Sequence, residues 1–109
     1  MNVLRYDVVT VEDTPQTLFT VPANEAYTVV GFTIVETEGE SGEISLNISK
    51  QVNNEEVIHP IGQFGISGND TIYPISNVNM VTGESLKVDC SISGVFVTAS
   101  VVSREVWGA

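Results

Sequence analysis

The chain has 109 residues, of which 42 % are hydrophobic, and fourteen acidic against four basic side chains give a formal net charge of −10. That length is one domain, residues 1–109, with a core small enough for oligomer contacts to add stability. Val, Ile, Thr and the aromatic residues fill 45 positions while Ala and Leu supply four each, which excludes an all-helical fold and a βαβ fold.

The four bases, Arg5, Lys50, Lys87 and Arg104, are scattered, so the chain offers neither a basic footprint for nucleic acid nor one for an anionic membrane. The acidity fits solubility, self-repulsion before assembly, or a basic partner. The N-terminus has no charged segment leading into an apolar one, so no signal peptide is expected, and no apolar run reaches the ~20 residues of a membrane helix. A single cysteine, Cys90, leaves no internal disulfide and no cysteine-based zinc site. A reducing cytoplasm is the expected place of synthesis.

Period-two alternation then runs through the chain. A first strand is predicted over Leu4 to Val11, a second over Thr17 to Val21, and the longest over Ala26 to Thr37 with Val30, Phe32 and Ile34 on one face. Glu38 to Gly42 reads as a hairpin loop. Glu43 to Lys50 follows, with Ile44, Leu46 and Ile48 inward and Ser45, Asn47 and Ser49 outward. After a turn at Gln51 to Glu55, the strand from Glu56 to Ile61 is read as an edge, or as ending at Pro60, because proline lacks a donor. Gly62 to Asp70 is read as the loosest stretch, with Phe64 and Ile66 able to pack inward. Thr71 to Val78 reads as a strand broken or edge-placed by Pro74. The last two strands are Glu84 to Ser93, with Leu86, Val88, Cys90 and Ile92 inward, and Val95 to Val102, with Val95, Val97, Ala99 and Val101 inward. About eight strands joined by short turns predict an all-β fold: a single antiparallel β-sandwich, Greek-key or jelly-roll-like. Val29-Val30, Ile34-Val35 and Val101-Val102 place β-branched residues on the outer face too, and another subunit is the expected cover.

Groups that could carry chemistry are few. His59 is the lone histidine, so no histidine pair and no HExxH exist, and a dyad with Cys90 is opposed by the thiol's place on an apolar strand face. Gly39-Glu40-Ser41-Gly42 and Gly65-Ile66-Ser67-Gly68 miss the spacing of a nucleophile elbow and lack its helix. Glu36, Glu38, Glu40 and Glu43 crowd one connection, where a solvated loop is favoured over a calcium site. Tyr6, Tyr27, Tyr73 and Trp107 are the aromatics available for a sugar platform, and two or more of them would have to share an exposed groove. The expectation is no enzyme, no catalytic residue, no cofactor and no metal. A small hydrolase would need His59, or two acids, converging in a pocket.

Thr20-Val21-Pro22-Ala23-Asn24-Glu25-Ala26-Tyr27-Thr28-Val29-Val30-Gly31-Phe32 resembles the T-V-P-A-N turn and long apolar strand of small β-sandwich structural proteins of tailed bacteriophages. Gly83-Glu84-Ser85-Leu86-Lys87-Val88 is similar to the G-[ED]-x-L turn and strand that those proteins place before their last strand. The match covers the first and last thirds of the chain. The resemblance implies a virion component working by contact, with capsid decoration (cement) as the first expectation and a tail, adaptor or fibre-attached subunit as the alternative. A carbohydrate-binding module for a host glycan is the alternative from another class. The expected partners are the chain itself, as a homo-oligomer with a trimer favoured, and a major capsid protein or other virion protein. The expected location is the virion, after assembly in the host cytoplasm. Contacts are expected from the terminal segments, through Val3, Leu4, Tyr6, Arg104, Val106 and Trp107.

Overall fold

Strands that alternate apolar and polar residues can bury one face only by packing sheet on sheet, and this chain does so with nine of them among the described residues. The computed structural model describes residues 2–74 and 77–106. In order the strands are β1 (Asn2–Val9), β2 (Gln16–Thr20), β3 (Glu25–Val35), β4 (Gly42–Val52), β5 (Glu55–Ile66), β6 (Thr71–Ile72), β7 (Val78–Met80), β8 (Ser85–Cys90) and β9 (Phe96–Glu105). One sheet has the order β1-β9-β3-β6, with β7 also on β3, and the other has the order β2-β8-β4-β5. All of these pairings are antiparallel.

The pairings nest: β4 with β5, β3 with β6 and β7, β2 with β8, and β1 with β9. This is one long hairpin rolled up, so that β9 also meets β3 and β8 also meets β4. The result is a jelly roll. Its tip is the turn Val52–Glu55, where Asn53 and Asn54 have φ of 53° and 64°, the pair of left-handed residues that a two-residue type I′ turn needs. The strand broken at Pro74 becomes β6 and β7, and Phe32 N–H still donates to Pro74 O across the break at 3.3 Å. Counting those halves as one gives the eight strands expected.

The expected inward sets on β4, β8 and β9 are buried and meet between the sheets, except that Ile92 lies past the end of β8 and is half-buried. Three local expectations are corrected. Val30 is not a core residue, because β3 carries a bulge between Val29 and Gly31 that turns Val29 and Phe32 inward and leaves Val30 43 % exposed. Glu38 to Gly42 is not a hairpin loop, since β3 and β4 belong to different sheets and the segment crosses between them. Gly62 to Ile66 is not loose but continues β5, and the strand passes through Pro60 because β5 is an edge and a second bulge opposes Leu46 and Asn47 there.

Candidate functional site

The terminal segments lie side by side. Residues Asn2 to Val9 form the edge of the first sheet and pair with Ser103 to Phe96, so the start of β1 runs beside the end of β9. Beyond that point the chain pairs with β3, Arg104 with Ala26 and Glu105 with Glu25, and Val106 N–H donates to Asn24 O at 2.9 Å. Val3 faces outward and is 79 % exposed, next to the half-buried Val102. Arg104 is exposed two residues further along β9. Val106 is half-buried, and Trp107 lies outside the described residues.

Leu4 and Tyr6 point the other way. Both are half-buried and pack against the core. Tyr6 stacks at 4.8 Å from Phe19, and its hydroxyl shares a 2.8 Å hydrogen bond with that of Tyr27. Burial pushes the Tyr27 phenol up, and the bond to Tyr6 adds to the shift. These two residues therefore fasten β1 to the sandwich, and what β1 presents outward is Val3, Arg5, Asp7 and Val9. Arg5 Nε lies 3.4 Å from Asp7 Oδ2, and Thr98 Oγ1 donates to Asp7 Oδ1 at 2.7 Å. Val9 (45 % exposed) pairs with Phe96 (48 % exposed), which pairs in turn with Val35, so an apolar row crosses three strands.

The aromatic platform is not assembled by the described residues. Tyr6 and Tyr27 are committed to the core, and Tyr73 stands 69 % exposed on the opposite edge. The histidine and the thiol are also kept apart. Cys90 pairs with Ile44 and His59 with Ile48, on opposite sides of β4, about 13 Å apart along the strand. His59 instead shares an open cleft of about 540 Å³ with Ile48, Lys50, Val57, Asn79 and Glu84, where the end of the β4–β5 hairpin overhangs β7. Among the described residues, no group of three or more His, Cys, Asp or Glu side chains is placed to hold a metal ion.

The acidic connection holds a feature that the sequence reading missed. Glu36 is buried, and its carboxylate accepts backbone N–H bonds from Asn69 at 2.9 Å, Gly39 at 2.8 Å, Glu38 at 3.1 Å and Glu40 at 3.2 Å. The Asn69 N–H, followed by those of Glu38, Gly39 and Glu40, holds this carboxyl below its ordinary value against the opposing effect of burial. One side chain thus ties the β3–β4 crossing to the β5–β6 loop. The loops are packed closely enough that a Cβ on Gly68 would sit 2.5 Å from the backbone of Gly39. A second acidic anchor lies on the outer face of the other sheet. There Lys87 Nζ and Ser49 Oγ both donate to Glu56 Oε2 at 2.6 Å and lower its pKa in that order.

No protein-family model matches the chain, and no curated protein matches it. Among solved structures the chain is similar to one from the T13 viral particle of infectious bursal disease virus (IBDV), with a TM-score of 0.52, 12 % identity, and coverage of 95 % of this chain and 36 % of that one. A chain of the IBDV Gx strain gives a TM-score of 0.48 at 11 % identity, covering 100 % of this chain and 38 % of that one. The CBM22-1–GH10 modules of the Clostridium thermocellum xylanase 10B, complexed with xylohexaose, give 0.49 at 9 % identity, covering 82 % of this chain and 18 % of the other. The chain spans well under half the length of each. At 12 % identity the likeness to the chain of the T13 particle is one of fold alone.

Proposed function

We propose that the chain is a non-enzymatic structural protein of a tailed-bacteriophage virion, acting as a capsid decoration subunit that binds itself and a major capsid protein. The observation that carries this reading is the outward side of the first sheet. It offers Val3, Val9, Val30 and Phe96 to solvent on a short sandwich whose interior is already filled. Within it Val9, Phe96 and Val35 adjoin across three strands, and adjoining exposed apolar residues on a small domain mark a protein-contact surface. The resemblance of the Thr20–Phe32 and Gly83–Val88 segments to phage sandwich proteins supplies the kind of particle. The sandwich likeness to a chain of an icosahedral virus particle is compatible with it. A tail, adaptor or fibre-attached subunit uses the same surface chemistry and is the second reading.

Immunogold electron microscopy on particles made from the genome that encodes the chain separates these readings. Label spread over the head supports decoration. Label confined to the tail or its tip selects the second reading, and purified particles without label overturn both.

A further inference from the structure

The first sheet ends in β1, whose outer edge no other strand covers among the described residues, and the register fixes the backbone polarity of that edge. Thr10 continues the β1–β9 register, and its N–H donates to Val95 O at 2.9 Å. Antiparallel partners alternate between pairs that exchange backbone bonds and pairs that do not. Val8, Tyr6, Leu4 and Asn2 share the phase of Thr10, so their N–H and C=O groups face β9. Those of Val3, Arg5, Asp7 and Val9 face away from the sheet. The same four residues carry their side chains on the outer face, in the order apolar, positive, negative, apolar.

That order is its own complement when reversed. We infer that β1 is a self-pairing edge, at which a second copy of this chain adds its own β1 antiparallel across a two-fold axis at Tyr6. In that register Val3 opposes Val9 of the second copy and Arg5 opposes its Asp7, each pair occurring twice. These pairs are also the ones whose free backbone groups meet, so each exchanges two backbone bonds. Between them lie Leu4 against Val8 and Tyr6 against Tyr6, the pairs that exchange none, which continue the apolar inner face. Slipping the register by two residues puts Arg5 against Arg5, or Asp7 against Asp7, and leaves a valine facing a charge. Like charges opposite one another oppose pairing, so the edge specifies its register as well as its partner. The intrachain contact between Arg5 and Asp7 does not compete strongly, because both side chains are exposed, 73 % and 55 %, and such pairs are weak. The pairing joins two first sheets into one continuous sheet and covers Val3, the most exposed large hydrophobic residue among those described.

This inference rests on the self-association within the proposed function and gives it a surface. The contact is isologous, so the unit it builds is a dimer, and the trimer expected from sequence would need another face. The test uses Arg5→Asp and Asp7→Arg. In the first variant every charge at the edge is negative and in the second every charge is positive. Each alone should lose self-association by at least about tenfold, in sedimentation equilibrium across a concentration series. An equimolar mixture should recover dimers at the parent's level, since opposite charges again face one another. Circular dichroism should show both variants folded. A parent that is monomeric at every concentration overturns the inference. So does either variant associating like the parent, or a mixture that stays monomeric. A parent trimer or ring indifferent to both substitutions removes the β1 edge while leaving self-association in place. Charge-dependent dimers together with unlabelled particles would remove the virion reading and keep the edge.

Discussion

The two long edge strands, β1 and β5, treat their exposed backbone in opposite ways. β5 runs 12 residues along the margin of the second sheet, but it contains Pro60, a bulge opposite Leu46 and Asn47, and the acidic pair Glu55 and Glu56 at its start. Each of these discourages another strand from pairing. β1 keeps an unbroken register of eight residues with β9, has no proline, and carries one charge of each sign. Its inner side is fixed by the shared hydroxyl bond of Tyr6 and Tyr27, so the edge is held straight before any partner arrives. The same sandwich therefore has one margin closed to pairing and one margin fitted for it.

The largest effect is expected when β1 is given the proline that β5 already has. Asp7→Pro removes an outward-facing N–H, a charge and the side-chain bond from Thr98 without touching the backbone bonds to β9, the setting in which an edge strand tolerates proline. Both copies lose a backbone bond and an ion pair, so dimerisation should weaken by about 2–4 kcal/mol, roughly 30- to 1,000-fold. The melting temperature of the dilute monomer should move by only a few degrees. Light scattering and thermal denaturation of one sample check both halves of that statement.

A smaller effect is expected at the Glu36 anchor, which secures the loop leaving β5 and has no counterpart at β1. The folded protein holds this carboxyl below its ordinary value near 4.5, with the Asn69 N–H as the largest cause. A group of that kind contributes stability above its unfolded pKa. The contribution is lost as pH falls through the folded pKa, because the unfolded chain takes up the proton first. Thermal melts from pH 7 down to pH 3 should show an acid-dependent loss in the parent that is reduced in Glu36→Gln, with the variant less stable than the parent at pH 7. Curves that run parallel would show that Glu36 is not the anchor described.

The smallest effect is the reverse substitution on the protected edge. Pro60→Val restores one outward donor to β5 but leaves the bulge and both glutamates in place. Self-association should rise by no more than about threefold in the same light-scattering series. A larger rise would mean that proline alone closes that margin.

Much of this fold was legible in the sequence for a physical reason. On β4, β8 and β9 the alternation is uninterrupted, so the inward sets follow from period two alone. Legibility failed where a partner strand decides the geometry. Val30 sits at a bulge that exists only in relation to β9, and Pro60 reads as a stop unless β5 is already known to be an edge. Glu36 could not be told from its neighbours, because a buried carboxylate and a solvated one look alike in a run of glutamates. The glycine three residues on, Gly39 at φ 77°, was the available sign of a backbone turning its N–H groups inward. At the candidate surface, the sequence named the N-terminal segment as a contact but did not divide β1 into Leu4 and Tyr6, which face the core, and Val3, Arg5, Asp7 and Val9, which face out. Alternation separates the two sets, and only the sheet order shows which of them borders an open edge.

Amide hydrogen exchange on the concentrated protein compares the two edges in a single measurement. By the phase set at Pro60, whose missing donor faces solvent, Ile58 presents its N–H to the open side of β5. If β1 is the self-pairing margin, the amides of Arg5, Asp7 and Val9 will be protected at high concentration and will exchange quickly on dilution, while Ile58 exchanges quickly throughout. Amides of Arg5 and Asp7 that exchange as fast as Ile58 at every concentration would contradict it.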